Sequence, residues 1–288
     1  MKTEHSKTAG AIDRRRFLFG TGLTVAGMAL TVRSLAELPG PAAAAPNDLS
    51  TWPNVRAQFA LSPDYINLSG FFLASHPRPV REAIENYRRA LDNNPFAMVE
   101  KEEFASRLRV EGLIAEYLGG KAEEVALTDS TTMGLALVYH GLGLKAGQEI
   151  LTTAHDHYAQ HESIRLAAAR SGASVRQIKL FDDYKTISSD EIAARIQKGI
   201  GPATRVVGVT WVHSSSGLRL PIRRIAEVIA ELNRKRGEAD RILLVVDGVH
   251  GIGAVDETIA QMGADFFVAG THKWMFGPRG TGIIWEKR

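Results

Sequence analysis

The chain has 288 residues, of which 44% are hydrophobic and 23% charged, an ordinary balance for one large domain or two small ones. The formal net charge of +3 is not spread evenly: residues 1–45 hold six of the 35 Lys/Arg and three of the 32 Asp/Glu, so the rest carries 29 of each. A neutral body gives no electrostatic footprint for nucleic acid, and the absence of cysteine removes disulfides, thiolate nucleophiles and Cys-type zinc sites from this chain.

Residues 1–45 resemble a twin-arginine export signal. Asp13-Arg14-Arg15-Arg16-Phe17-Leu18 supplies the arginine pair followed by Phe-Leu, and a short, mildly apolar stretch runs from Phe19 to Val32. Ala42 to Ala45 offer an Ala-x-Ala cleavage site, with the mature chain starting near Pro46. The competing readings are a membrane anchor or a disordered tail; the stretch is short and rich in Gly and Thr, which favours a cleaved signal, and nothing after residue 45 is long enough to span a bilayer. The expected location is periplasmic or otherwise extracytoplasmic, with no membrane attachment after cleavage.

Residues 46–75 read as an N-terminal arm, and 76–288 as the main domain. Within the arm, Tyr65-Ile66-Asn67-Leu68-Ser69-Gly70 resembles the first short strand of a known enzyme family, with Asn67 equally readable as a turn residue. Pro79 to Leu91 predicts a helix with proline in its first turn. Lys101 to Leu118 predicts a second, ended by Gly119-Gly120. Val125 to Leu127 is a short strand, after which Ser130-Thr131-Thr132 opens an apolar helix. Hydroxyl residues at a helix start are plain caps or, with the free N–H groups and the dipole, an anion site.

Glu149 to Thr153 predicts a strand, followed by His155-Asp156-His157-Tyr158 and a helix to about Arg170. His155, His157 and His161 can be read as metal ligands, but they straddle a strand–helix junction and lack a fixed ligand spacing, so no metal is expected. Ala173 to Leu180 is a strand, Ser189 caps a helix to about Lys198, and Arg205 to Trp211 is a strand that ends in Val212-His213-Ser214-Ser215-Ser216-Gly217. Pro221 to Arg236 is an amphipathic helix. Ile242 to Val246 is a buried strand that delivers Asp247, with His250 three residues on; a second run, Asp265 to Ala269, delivers Thr271-His272-Lys273-Trp274. Glycines around both strand ends would let a ligand approach the backbone. Strands alternating with helices predict an α/β fold, a mostly parallel sheet sandwiched by helices, with ligands at the carboxyl ends of the strands.

Three motifs, Asp247-Gly248-Val249-His250, Gly270-Thr271-His272-Lys273-Trp274 and Gly277-Pro278-Arg279-Gly280-Thr281-Gly282, resemble the class V aminotransferase family of fold-type I pyridoxal-phosphate (PLP) enzymes over residues 60–288. The resemblance implies a Lys273 Schiff base with pyridoxal 5'-phosphate, and Asp247 at the pyridine nitrogen. It implies His157 stacked on the ring, and His250 or Ser214 at the 3′-oxygen, where many relatives carry asparagine near Ser214. Ser130, Thr131 and Thr132, with Thr271 and His272, would hold the phosphate. Thr281 would complete a partner subunit's phosphate site in a homodimer.

The expected activity is transamination or epimerisation of an amino acid or related amine. Cysteine desulfurase or β-lyase chemistry, a metal-dependent hydrolase using His155, His157, His161 and His213, and a non-catalytic remnant stand as alternatives. Thr-His-Lys-Trp, with Gly-Leu-x-Leu-Pro at 217–221, is closer in style to the isopenicillin-N epimerase-like branch. Because the chain stops fifteen residues after Lys273, the resemblance also implies that the family's C-terminal small domain is missing here.

Overall fold

The computed structural model describes residues 48–287, so the export signal expected at 1–45 lies outside the described residues. The chain runs through α1 (Trp52–Arg56), α2 (Arg78–Asn93), α3 (Pro95–Leu118), β1 (Val125–Thr128), α4 (Thr131–Gly141), β2 (Glu149–Thr153), α5 (Tyr158–Ser171), β3 (Ser174–Ile178), α6 (Ser189–Gly199), β4 (Thr204–Thr210), α7 (Ile222–Asn233), β5 (Leu243–Asp247), α8 (Ile259–Met262), β6 (Phe266–Gly270) and β7 (Gly282–Glu286). The strands form one seven-stranded sheet in the order β1-β7-β6-β5-β4-β2-β3. β6, β5, β4, β2 and β3 are mutually parallel; β7 is antiparallel to both β6 and β1, so two reversals restore β1 to the direction of the rest.

The pleat explains the two-sided core. Side chains alternate across a strand, so neighbouring residues join different clusters. Leu151, Val207, Leu244, Val246 and Phe267 pack on one face under α6 and α7, with Ile192, Ile196, Ile225 and Ile229. Ile150, Val206, Val245 and Val268 pack on the other under α4 and α5, with Leu135, Val138, Tyr139 and Ile164. A sheet covered on both faces needs apolar residues at every strand position, which is why Ile242 to Val246 reads as a continuous run. α2 contributes no buried side chain, and α3 buries only Glu111, Ala115 and Leu118 near its C-terminus, before Gly119 closes it at φ 76°.

Several expectations are corrected. Tyr65 to Gly70 is not a strand but irregular chain between a bend at Tyr65 and a turn at Gly70; Asn67 Oδ1 accepts the Ser69 N–H at 3.0 Å, a local turn-like bond. The α6 cap is Ser188 rather than Ser189: its hydroxyl accepts the Glu191 N–H at 3.2 Å, and Glu191 accepts the Ser188 N–H at 2.9 Å, a reciprocal capping box. The glycines after Asp247 do not leave room for a ligand. A Cβ on Gly248 would lie 1.9 Å from the Phe267 ring, and one on Gly251 1.9 Å from the Trp211 ring. The backbone comes close there to seat two core aromatics.

Candidate active site

Residues at or just after the ends of β1, β2, β4, β5 and β6 converge at the carboxyl end of the sheet. A cleft there is lined by Ser130, Thr131 and Thr132, by His155 and His157, by Thr210, His213 and Ser214, and by Asp247, His250, His272 and Lys273. Of the expected residues, Thr271 and Thr281 lie outside this lining: the Thr271 hydroxyl is hydrogen-bonded to the Thr281 hydroxyl, and Thr281 Oγ1 also donates to the Pro278 carbonyl. They join the residue that follows β6 to the residue that precedes β7, at the base of the loop that carries Lys273.

Asp247 sits at the end of β5, opposite Thr210 of β4 and Val268 of β6. Its residue is 2% exposed and its carboxylate accepts the Val249 N–H at 3.1 Å. Burial pushes its pKa up to about 7; the Val249 hydrogen bond opposes this, the Asp156 charge adds to it and the Lys273 charge opposes it. A buried carboxylate raised so far is an acid in want of a cationic partner.

Lys273 is half-buried, three residues beyond β6. Its Nζ lies 3.0 Å from His250 Nε2. Burial lowers its pKa and Asp247 raises it. On the other side of the imidazole, the Trp274 indole N–H donates to His250 Nδ1 at 3.3 Å. Burial, then the Lys273, His157 and His272 charges, brings His250 down to about 4. His272 is lowered by burial, Lys273 and Arg279.

His157 caps α5, its Nδ1 accepting the Ala159 N–H at 3.2 Å, and burial followed by the Lys273 and His161 charges lowers its pKa. The turn beneath it is held by Asp156, which accepts from the Thr152 hydroxyl at 2.9 Å, the Thr153 N–H at 2.8 Å and the Thr210 N–H at 2.8 Å. The other two histidines of the proposed metal set engage backbone groups: His155 Nε2 accepts the Leu180 N–H at 3.3 Å while its ring stacks on Phe181 at 3.8 Å, and His161 Nε2 is 2.8 Å from the Thr153 carbonyl.

At the start of α4, Ser130 Oγ caps the helix by accepting the Met133 N–H at 3.1 Å, and Thr131 Oγ1 accepts the Gly270 N–H at 2.7 Å. Thr132 is exposed at the same helix start. The α4 N-terminus therefore opens on the cleft with the dipole's positive end, and Thr131 ties it to the end of β6.

Two residues, Thr210 and Trp274, were missed as site members, and His213 was named only in the metal reading. Thr210 Oγ1 and both ring nitrogens of His213 are buried at the cleft without hydrogen-bond partners, as expected of groups that meet a polar ligand. Trp274 contacts His250 from beside the lysine. The signal for Trp274 was its donor-only indole, but its target depends on the fold.

The donor set fits pyridoxal phosphate: a buried acid for the ring nitrogen, a half-buried lysine for the aldehyde, a helix N-terminus for the phosphate and orphaned polar atoms between them. Among known proteins, the family model described as "Aminotransferase class-V" matches residues 74–288. The chain is 29% identical to the isopenicillin N epimerase of Streptomyces clavuligerus over 82% of its own length and 57% of the relative's. It is 27% identical to a cysteine desulfurase of Haloferax volcanii over 74% of its length and 48% of that protein. The solved structure of a C-DES mutant with glycine covalently linked to the PLP cofactor superposes with TM-score 0.70 at 27% identity, covering 81% of this chain and 59% of that one. The cystine C-S lyase C-DES bound to its product cysteine persulfide gives 0.67 at 26%, covering 76% and 56%. The chain thus spans about half the length of these relatives, from 48% to 59%.

Proposed function

The chain belongs to the class-V aminotransferase family, and from that premise we propose that it is a PLP-dependent enzyme acting on an amino acid or related amine, by transamination or epimerisation. The observation that carries this reading is the pairing of buried Asp247 with half-buried Lys273 at the ends of adjacent parallel strands, in one cleft. When bound, pyridoxal phosphate supplies an electron sink that acidifies the hydrogen on the amine-bearing carbon.

The chain's own groups divide the remaining work. Lys273 Nζ holds the cofactor, then takes and returns that proton. Asp247 provides the negative charge that keeps the pyridine nitrogen protonated, while its burial excludes water from the pair. His157 covers one side of the cleft. The α4 N-terminus, with Ser130 to Thr132, receives the phosphate.

Lyase chemistry at the β-carbon is the second reading, favoured by the likeness to the cystine C-S lyase at 26% identity. A homodimer is part of the proposal, supported by exposed apolar side chains on the arm and α3, including Ile66, Leu68, Phe72, Phe96 and Phe104. So is export by the twin-arginine route, supported by Arg14, Arg15 and Arg16. The test is borohydride reduction of the cofactor-loaded chain followed by peptide mapping. A label on Lys273 is expected; a label on another lysine overturns the assignment. Racemisation, keto-acid formation or sulfide release across a panel of amino acids then separates the reaction classes.

A further inference from the structure

Trp274, His250 and Lys273 form a short line in which each atom's role is constrained by the one before. The indole Nε1 can only donate, and it donates to His250 Nδ1 at 3.3 Å. That nitrogen must therefore offer a lone pair and carry no proton. A neutral imidazole with a bare Nδ1 has its proton on Nε2, and Nε2 lies 3.0 Å from Lys273 Nζ. An ammonium has donors only, so it would meet Nε2–H donor to donor; an amine offers the lone pair the contact needs.

We propose that Trp274 is a positioning residue that fixes the Nε2–H tautomer of His250 and, through it, keeps Lys273 as the neutral amine. Lys273 reacts with an aldehyde only in that form. The inference rests on reading Lys273 as the cofactor-holding lysine, but its geometry needs no cofactor.

Two further observations agree. Gly253, at φ 78°, lets the Trp274 backbone pack against it: a Cβ there would lie 2.6 Å from the Trp274 carbonyl carbon, so the indole is attached to a braced segment. The charged and titratable groups facing the lysine are Asp247 from β5, His157 from the start of α5, His250 itself and the adjacent His272. The three histidines are each held below their ordinary value, first by burial, and so stay neutral near pH 7. Asp247 alone favours the ammonium.

The test uses the full chain freed of cofactor, with ¹⁵N-labelled histidine. Long-range ¹⁵N–¹H correlation near pH 7, with the His250 signal assigned by its loss in His250→Gln, should show a protonated Nε2 and a bare Nδ1. Trp274→Phe removes the donor while keeping an aromatic ring. It should shift His250 toward the other tautomer and slow reductive methylation of Lys273 about tenfold, the effect of one pKa unit, with Lys198 and Lys235 unchanged as internal controls. A wild-type Nδ1–H tautomer overturns the proposal, and that measurement stands whether or not the variant folds. In a folded Trp274→Phe protein, an unchanged tautomer or unchanged Lys273 reactivity also overturns it. The borohydride label tests the cofactor reading separately, because it reports which lysine is modified and not how its proton is held.

Discussion

Asp156 Oδ1 accepts the backbone N–H of Thr210 at 2.8 Å, and this bond ties the turn that carries His157 to the strand end beside Asp247. Its other oxygen binds the Thr152 hydroxyl and the Thr153 N–H, so one buried side chain fixes the β2–α5 junction relative to the end of β4. Hydrogen bonds to a buried charge contribute more than neutral ones, and a donor left unpaired costs about 1–3 kcal/mol. Asp156→Asn, which cannot accept at both positions, should lower the denaturation free energy by about 2 kcal/mol. Urea unfolding of the two proteins measures this; equal midpoints and slopes would count against the clamp.

Asp247→Asn should retain cofactor yet exchange the substrate α-hydrogen roughly 10²–10³-fold more slowly, the range for losing one preorganised charge interaction. The amide fits the same space beside Val249 but brings no negative charge to the ring nitrogen. Deuterium incorporation into an amino acid turned over by the wild-type protein provides the readout, and near-normal exchange would remove Asp247 from the role assigned to it.

The same carboxyl gives the cofactor-free chain a pH-dependent stability. Its native pKa of about 7 lies above the ordinary 3.8, so between those values the native state keeps a proton that the unfolded chain has lost. Stability therefore falls as pH rises across that window, by on the order of 4 kcal/mol in total. His250 acts in the opposite sense. Its native value of about 4 lies below 6.5, so the unfolded chain binds the extra proton and stability rises with pH between those limits. Subtracting the pH profile of Asp247→Asn from that of the wild type isolates the first effect. The difference should grow steadily from about pH 4 to 7; a flat difference contradicts the burial argument.

Replacing Arg14, Arg15 and Arg16 together by lysine should leave unprocessed precursor in the cytoplasm, because the twin-arginine pattern depends on the guanidinium pair rather than on charge alone. Fractionation and immunoblotting against the mature domain provide the check. Processing at the wild-type rate would point to another route.

What could be read from the chain was what depends on local pattern. Ile242 to Val246 is apolar at every position because both faces of β5 are covered, and Asp247 stands out as the first charge after it. Gly119 marked a helix end because its positive φ is local. Gly248 and Gly251 were misread because the rings that need their missing side chains, Phe267 and Trp211, are brought in by tertiary packing. The Ser188 cap was legible in principle, since Glu191 stands three residues after Ser188 and two after Ser189. A strand at Tyr65 to Gly70 was expected from resemblance alone; the segment lies outside the seven-stranded sheet, and a lone strand has no partner for its backbone.

The shallow seating of α2 and α3 has a kinetic consequence. In a single subunit, with no buried side chain in α2 and only the last two turns of α3 anchored in the core, opening this helical pair exposes little apolar surface beyond what is already in water. Its local opening should therefore require far less free energy than global unfolding. Amide protons along Arg78–Asn93 should exchange with solvent long before those of Leu243–Asp247, and a protease should make its first cut there while the sheet beneath stays intact.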